Sequence, residues 1–177
     1  MAGARNGNAE IGPTRDFNGL LREIAAWRGH PNGHWAAELV CGHSRWVPQG
    51  PPDGPEAPAH EPDVRPARLG SVLECDACER RERPDSLAPY RRTPEFDEAS
   101  IPKGLLKEHR TKQGVWAVIN VTSGQLRYAD RDPAFNDVLG PGDALSVPPE
   151  HPHSVTALGR VRFYVEFWRK RTRIECP

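Results

Sequence analysis

Cys41 and His43 form a C-x-H, and Cys75 and Cys78 form a C-x-x-C, with the 31 residues Ser44–Glu74 between the two pairs. Three thiolates and one imidazole are the donor types a borderline-soft ion prefers, and Cys3His is a usual tetrahedral set for structural zinc. Four protein ligands leave no position for water, so the expected contribution is to folding and not to catalysis. A redox pair at Cys75 and Cys78 beside an unrelated histidine is the weaker reading, because both pairs follow apolar, strand-like runs. The fourth cysteine, Cys176, lies one residue from the C-terminus in a charged tail and is expected to be a bystander. Four cysteines in 177 residues are too sparse for a secreted disulfide framework.

The elements that must carry these ligands can be read from the pattern. Residues 22–47 hold two apolar runs, EIAAWR and HWAAELV, on either side of His30-Pro31-Asn32-Gly33, and Asn-Gly is a strong hairpin signal. Pro48–Pro66 contains seven of the nineteen prolines and cannot form a regular helix or a central strand. LGSVLECDACERRER over 69–83 returns to order and ends in a charged helical turn, in which Arg80, Arg81 and Arg83 interleave with acids as a solvated face. This arrangement predicts a tail over 1–21, a small module over 22–83, a linker over 84–89, a second domain over 90–170 and a tail over 171–177. In the second domain GVWAVINV, SGQLRYA, ALSVP, HSVTAL and VRFYVEFWR read as short strands at sandwich or barrel spacing. The last run alternates, with Val161, Phe163, Val165 and Phe167 on one face and Arg162, Tyr164, Glu166 and Trp168 on the other.

Composition narrows the function classes. Lys+Arg and Asp+Glu both count 24, so bulk charge gives no hold on nucleic acid or an anionic membrane. No apolar run approaches the roughly 20 residues of a membrane span, and the N-terminus lacks the apolar core of a secretory signal. A cytoplasmic protein is the expectation.

Two stretches also resemble known families. GHWAAELVCGH, a Pro-Pro segment and ARLGSVLECDAC are similar to a short bacterial zinc-ribbon-like family of unknown function, over about residues 22–81. Members often carry a further His after the C-G-H, where this chain has Arg45-Trp46. The second half resembles the tellurite-resistance-related, YeaR-like family of small cupins, through H-x-T-x-x-G-V-W from His109, the Gly124 turn, P-P-E-x-x-H ending at His153, and F-x-V-E-F. The fold class implied is mainly β: a zinc-ribbon-like β module followed by a cupin-type double-stranded β-helix, or jelly-roll barrel.

Gly142, Pro148 and His153 match the second cupin motif, with Glu150 where Gly is usual. The first motif is degenerate: His109 is its only histidine, and Ala117 stands where a Glu is expected. Glu166 on the last strand is the candidate replacement, which gives a cupin metal set of His109, His153 and Glu166, with His151 or Thr111 as alternative ligands. Two His and one carboxylate suit a second divalent ion, Zn, Fe or Mn. Trp116, Tyr128, Tyr164 and Trp168 are candidate pocket walls, and Arg127 is a candidate grip for an anion, against the plainer reading of a solvated strand charge. The leading expectation is a metal-binding cupin that takes a small molecule or oxyanion in a stress response. The alternatives are a small metal-dependent oxygenase or isomerase, and a zinc-ribbon adaptor, with nucleic acid disfavoured by the balanced charge. The tellurite methyltransferases that carry such a cupin need a cofactor-binding α/β domain, and no Gly-rich strand–helix turn occurs here. A homodimer through edge strands is the expected assembly.

Overall fold

The structure is a computed structural model and describes residues 21–31, 34–47, 68–131 and 133–171. The Asn32-Gly33 turn, the Pro48–Pro66 insert, and residues 1–20 and 172–177 of the two tails, Cys176 among them, lie outside the described residues, whereas Leu21 of the expected tail already belongs to the first strand.

The first half builds a four-stranded antiparallel sheet in the order β3-β2-β1-β4 from β1 (Leu21–Gly29), β2 (Trp35–Leu39), β3 (Ser44–Val47) and β4 (Val72–Glu74). The expected hairpin is present, with β1 paired to β2 from Ile24↔Leu39 to Gly29↔Trp35. The short helix α1 (Asp76–Glu79) follows β4 and carries Cys78, with Cys75 at its N-cap. The phase of β1 places Ile24 and Arg22 inward and leaves Leu21 and Glu23 outside. Ile24, Ala37, Leu39, the three cysteines, Leu87 and Trp116 share one core. Two of those eight, Leu87 and Trp116, come from the second half of the chain, so this core is also the junction between the halves.

The second half is a six-stranded antiparallel sheet in the order β5-β10-β7-β8, with β6 on β10 and β9 on β7. Its strands are β5 (Leu87–Arg92), β6 (Phe96–Asp97), β7 (Trp116–Asp130), β8 (Asp137–Leu139), β9 (Ala144–Val147) and β10 (His153–Lys170). Two expectations change here. GVWAVINV and SGQLRYA form one 15-residue strand, β7, and HSVTAL and VRFYVEFWR form one 18-residue strand, β10. In addition, Leu87–Pro89 of the expected linker already belongs to β5 and pairs with β10.

The two long strands run side by side through irregularities at Ala157/Val161 and Arg162/Phe163. At the second of these, β7 advances from Val121 to Ser123 while β10 advances by one residue. An extra residue of this kind flips the alternation of the strand. Ile119 and Val121 on one side of it, and Leu126 and Tyr128 on the other, therefore enter the same core as Val155 and Phe163. A sheet whose two ends share one core must curl, and the second half is a curled antiparallel barrel of jelly-roll type. Gly124 permits the crossing: its φ is +71°, and a Cβ there would lie 1.9 Å from the Arg160 carbonyl oxygen. Among the described residues no helix is long and apolar enough to cross a membrane.

Candidate functional site

The turn after β2 and the loop from β4 into α1 bring Cys41, His43, Cys75 and Cys78 together, with all four ligand atoms within 4.8 Å of one another. His43 Nδ1 lies 3.5 Å from Cys41 Sγ, 3.3 Å from Cys75 Sγ and 3.7 Å from Cys78 Sγ, and the Cys41 and Cys75 sulfurs are 3.8 Å apart. A tetrahedral zinc with bonds of about 2.3 Å to sulfur and about 2.0–2.1 Å to nitrogen has S···S edges near ~3.8 Å and S···N edges near ~3.5 Å. Those four separations, 3.3–3.8 Å, match these edges.

Electrostatics agree with the fit. Burial alone would lower His43, but its contacts with the Cys41 and Cys75 sulfurs outweigh this and raise its pKa to about 9. Hydrogen bonds from Cys41 and Cys78 drive the Cys75 thiol well below its ordinary value, while contacts with Cys41 and Cys75 push Cys78 up. Without an ion the sulfurs share protons unequally; an ion replaces those protons with one central charge. Arg22 supplies a second indication. It is 4% exposed, and its Nε and Nη2 have no hydrogen-bond partner among the described residues. Its charge favours the thiolate of Cys78. A buried unpaired guanidinium is strongly unfavourable, whereas three thiolates around Zn²⁺ carry a net negative charge that would offset it.

The barrel encloses a second feature, a cavity of about 330 Å³. Its wall is mostly apolar, with Phe96, Leu105, Ile119, Phe163, Val165 and Phe167, and its polar groups are His109, His153, Thr93, Thr111, Arg91 and Arg110. Backbone bonds in both directions pair His109 with His153, at 2.9 and 3.0 Å, and their rings stand 4.1 Å apart. His109 Nδ1 bonds the Lys107 carbonyl at 3.0 Å and His153 Nδ1 bonds the His151 carbonyl at 2.8 Å. A carbonyl can only accept, so each Nδ1 carries a proton, and in the neutral tautomer the lone pair is on Nε2. Burial lowers the pKa of His153 to about 4, against its bond to the His151 carbonyl, which acts in the opposite direction.

Residues 91–165 match the TehB-like domain, and residues 26–82 match DUF3565, a protein family of unknown function. The second half carries a TehB-like domain. Solved structures similar to the chain include TehB from Haemophilus influenzae, at 24% identity and a TM-score of 0.46 over 49% of this chain and 32% of that one. The chain thus spans about a third of the length of that TehB. A protein from E. coli strain K12 is 22% identical, with a TM-score of 0.46 over 50% of this chain and 96% of that one. A cupin-2 domain protein from Shewanella frigidimarina is 21% identical, with a TM-score of 0.31 over 48% of this chain and 67% of that one. No curated protein matches the chain.

Within the TehB-like domain the expected residues are only partly brought together. His109 and His153 meet, but Glu166 does not join them. It alternates with Val165 and Phe167, which face the cavity, and so occupies the outer face of β10. Among the described residues, the Cys/His cluster is the only set of three or more His, Cys, Asp or Glu at metal-holding distances. His151 turns away to Asp130, at 2.5 Å, whereas Thr111 does line the cavity.

The expected walls also lie elsewhere. Trp116 is fully buried and donates to the Cys41 carbonyl at 2.8 Å, so it covers the Cys/His cluster and not the cavity. Tyr164 lies on the outer face beneath the Arg92 guanidinium, 3.6 Å from the ring centroid. Trp168 is covered by Arg83 in the same way, at 3.4 Å. Tyr128 is buried against His153, with its rings stacked at 5.5 Å. Arg127 is exposed, because Leu126 and Tyr128 take the inward positions of β7. The cavity wall is instead built from phenylalanines and aliphatics, of which Phe163, Val165 and Phe167 showed their inward phase in the alternation of β10. Arg22 and Arg81 gave no such signal, since neither lies in a motif.

Proposed function

We propose that the protein is a metal-stapled binding module, with zinc held by Cys41, His43, Cys75 and Cys78 and a small organic anion held in the barrel. The observation that carries this reading is the cavity itself. A volume of about 330 Å³ is at the low end for ligand pockets, and apolar walls with a few convergent polar groups are what such pockets use. Arg91 and Arg110 are exposed residues on its lining and place positive charge at the mouth. His109 and His153 offer Nε2 acceptors within. A bare oxyanion would lose its hydration against the apolar wall without replacement. An apolar body with one carboxylate or similar head group satisfies both regions. A role in stress tolerance rests on the family resemblance alone.

Titration calorimetry of the purified chain with aromatic and branched aliphatic carboxylates, with tellurite as comparison, tests the reading. Saturable binding of a carboxylate, weakened at least tenfold in Phe163→Ala, is the expected result. Binding of tellurite alone, or carboxylate binding indifferent to Phe163, would contradict it.

A second reading is favoured by the two Nδ1 bonds to carbonyls. That arrangement fixes an imidazole as a metal ligand through Nε2, so His109 and His153 could hold a divalent ion with open positions, as an oxygenase or isomerase would need. With Glu166 on the outer face, Thr111 or the ligand itself would have to complete such a site.

A further inference from the structure

The loop after the C-x-x-C reaches the residues packed behind His153, a histidine that lines the barrel cavity. Arg81 follows Cys78 by three residues and has a φ of +56°, a left-handed conformation uncommon for a side chain of this size. That turn separates it from its neighbour Arg80, which pairs with Glu82 in solvent. Arg81 Nη2 donates to Asp130 Oδ2 at 3.3 Å and to the Phe135 carbonyl at 2.8 Å. Its guanidinium lies 4.8 Å from the Tyr128 ring centroid and 5.5 Å from that of Phe135. The Arg81 side chain is 14% exposed and that of Asp130 2%. This contact is therefore largely buried, unlike an ordinary surface ion pair.

Asp130 gathers several groups. Beside Arg81 it accepts from His151 Nε2 at 2.5 Å and from the Tyr128 hydroxyl at 3.4 Å. Both partners then touch His153. Tyr128 stacks on its ring at 5.5 Å with planes 19° apart, and the His151 carbonyl takes its Nδ1 proton at 2.8 Å. The face and one nitrogen of the cavity histidine are thus fixed by groups that Arg81 and Asp130 hold. The backbone of Arg81 is in turn tied to the metal loop, through its N–H to the Cys78 carbonyl at 3.0 Å.

We propose that Arg81 is a positioning residue that couples the Cys/His metal centre to the barrel cavity: metal binding fixes the loop, the loop fixes Arg81, and Arg81 fixes Tyr128, Asp130 and His151 around His153. The proposal rests on the zinc reading above. A four-residue helix cannot hold the loop unaided, so an ion at its cysteines is what would make Arg81 a rigid support. Linkage then requires the reverse effect, with occupancy of the cavity tightening zinc.

Hydrogen exchange and imidazole NMR on the full chain test this, with zinc content measured on each sample. The Arg81→Ala chain should keep its zinc, because Trp116 and Leu87 still dock the metal module. Its amides over 128–130 and 151–155 should exchange at least tenfold faster, and the His153 ring resonances should shift. Stripping zinc from the wild type should produce the same changes, and stripping it from Arg81→Ala should add nothing in these segments. Arg81→Lys keeps a charge for Asp130 but loses the fork and the stacking, and should fall between. Wild-type exchange and His153 signals in zinc-loaded Arg81→Ala would overturn the proposal, as would equal responses to stripping in both chains. A wild-type chain that holds no zinc would overturn the metal reading and the coupling with it, while the Arg81→Ala comparison would still decide whether Arg81 positions His153.

Discussion

At the scale of single residues, His153 has a measurable signature. Its pKa is lowered to about 4 in the folded chain, mainly by burial, against about 6.5 for a free histidine. Between these values the unfolded chain binds a proton that the folded chain refuses, so stability rises with pH across that window and is lost as pH falls through it. Those two values imply a loss of about 2 kcal/mol between pH 7.5 and pH 5 from this residue. The Cys/His cluster also titrates, so the informative quantity is the difference between wild type and His153→Gln. Urea midpoints at the two pH values should fall further in the wild type by that amount. Equal losses would mean that His153 is charged, or not buried, in the folded state.

At the scale of elements, the long β7–β10 ribbon depends on its glycines unequally. Gly124 and Gly159 both have positive φ, at +71° and +89°, and an alanine at either meets a left-handed backbone costing about 1–2 kcal/mol. They differ in what surrounds them. A Cβ at Gly124 would lie 1.9 Å from the Arg160 oxygen, a backbone atom that cannot move independently, whereas at Gly159 no atom lies within 4 Å. Gly124→Ala should therefore cost about 3 kcal/mol or more, and Gly159→Ala only the conformational part. Denaturant midpoints of the two variants check this, and equal costs would contradict the crossing geometry. The alternation of Val161, Phe163, Val165 and Phe167 was legible because period two survives along that part of β10. The union of four short runs into two strands was not legible. A bulge and a left-handed glycine look like turn signals in one sequence, and only the partner strand shows that pairing continues through them.

At the scale of the molecule, the Cys/His cluster lies at the junction of two sheets. Cys41 receives the Trp116 indole, Leu87 enters the core of the first sheet, and Arg81 and Arg83 reach the barrel. The four cluster residues could be read from type and spacing alone, because metal chemistry restricts both. The cavity set was only half legible: the sequence pointed to His109 and His153 through their motifs, whereas the inward or outward phase of Glu166, Tyr164 and Arg127 is decided by register. Arg80, Arg81 and Arg83 looked alike as a solvated charge run, and the left-handed turn at Arg81 separates their fates. Because the junction contains the cluster, a metal there would tie the two halves together. Element-resolved analysis of chain purified without chelators, for wild type, Cys75→Ser and His153→Ala, tests it most directly. One zinc per chain is expected in wild type and His153→Ala, and its loss in Cys75→Ser. A second metal lost only in His153→Ala would favour the two-histidine reading of the barrel. Wild-type chain without zinc, or zinc that survives Cys75→Ser undiminished, would rule out a Cys/His zinc centre.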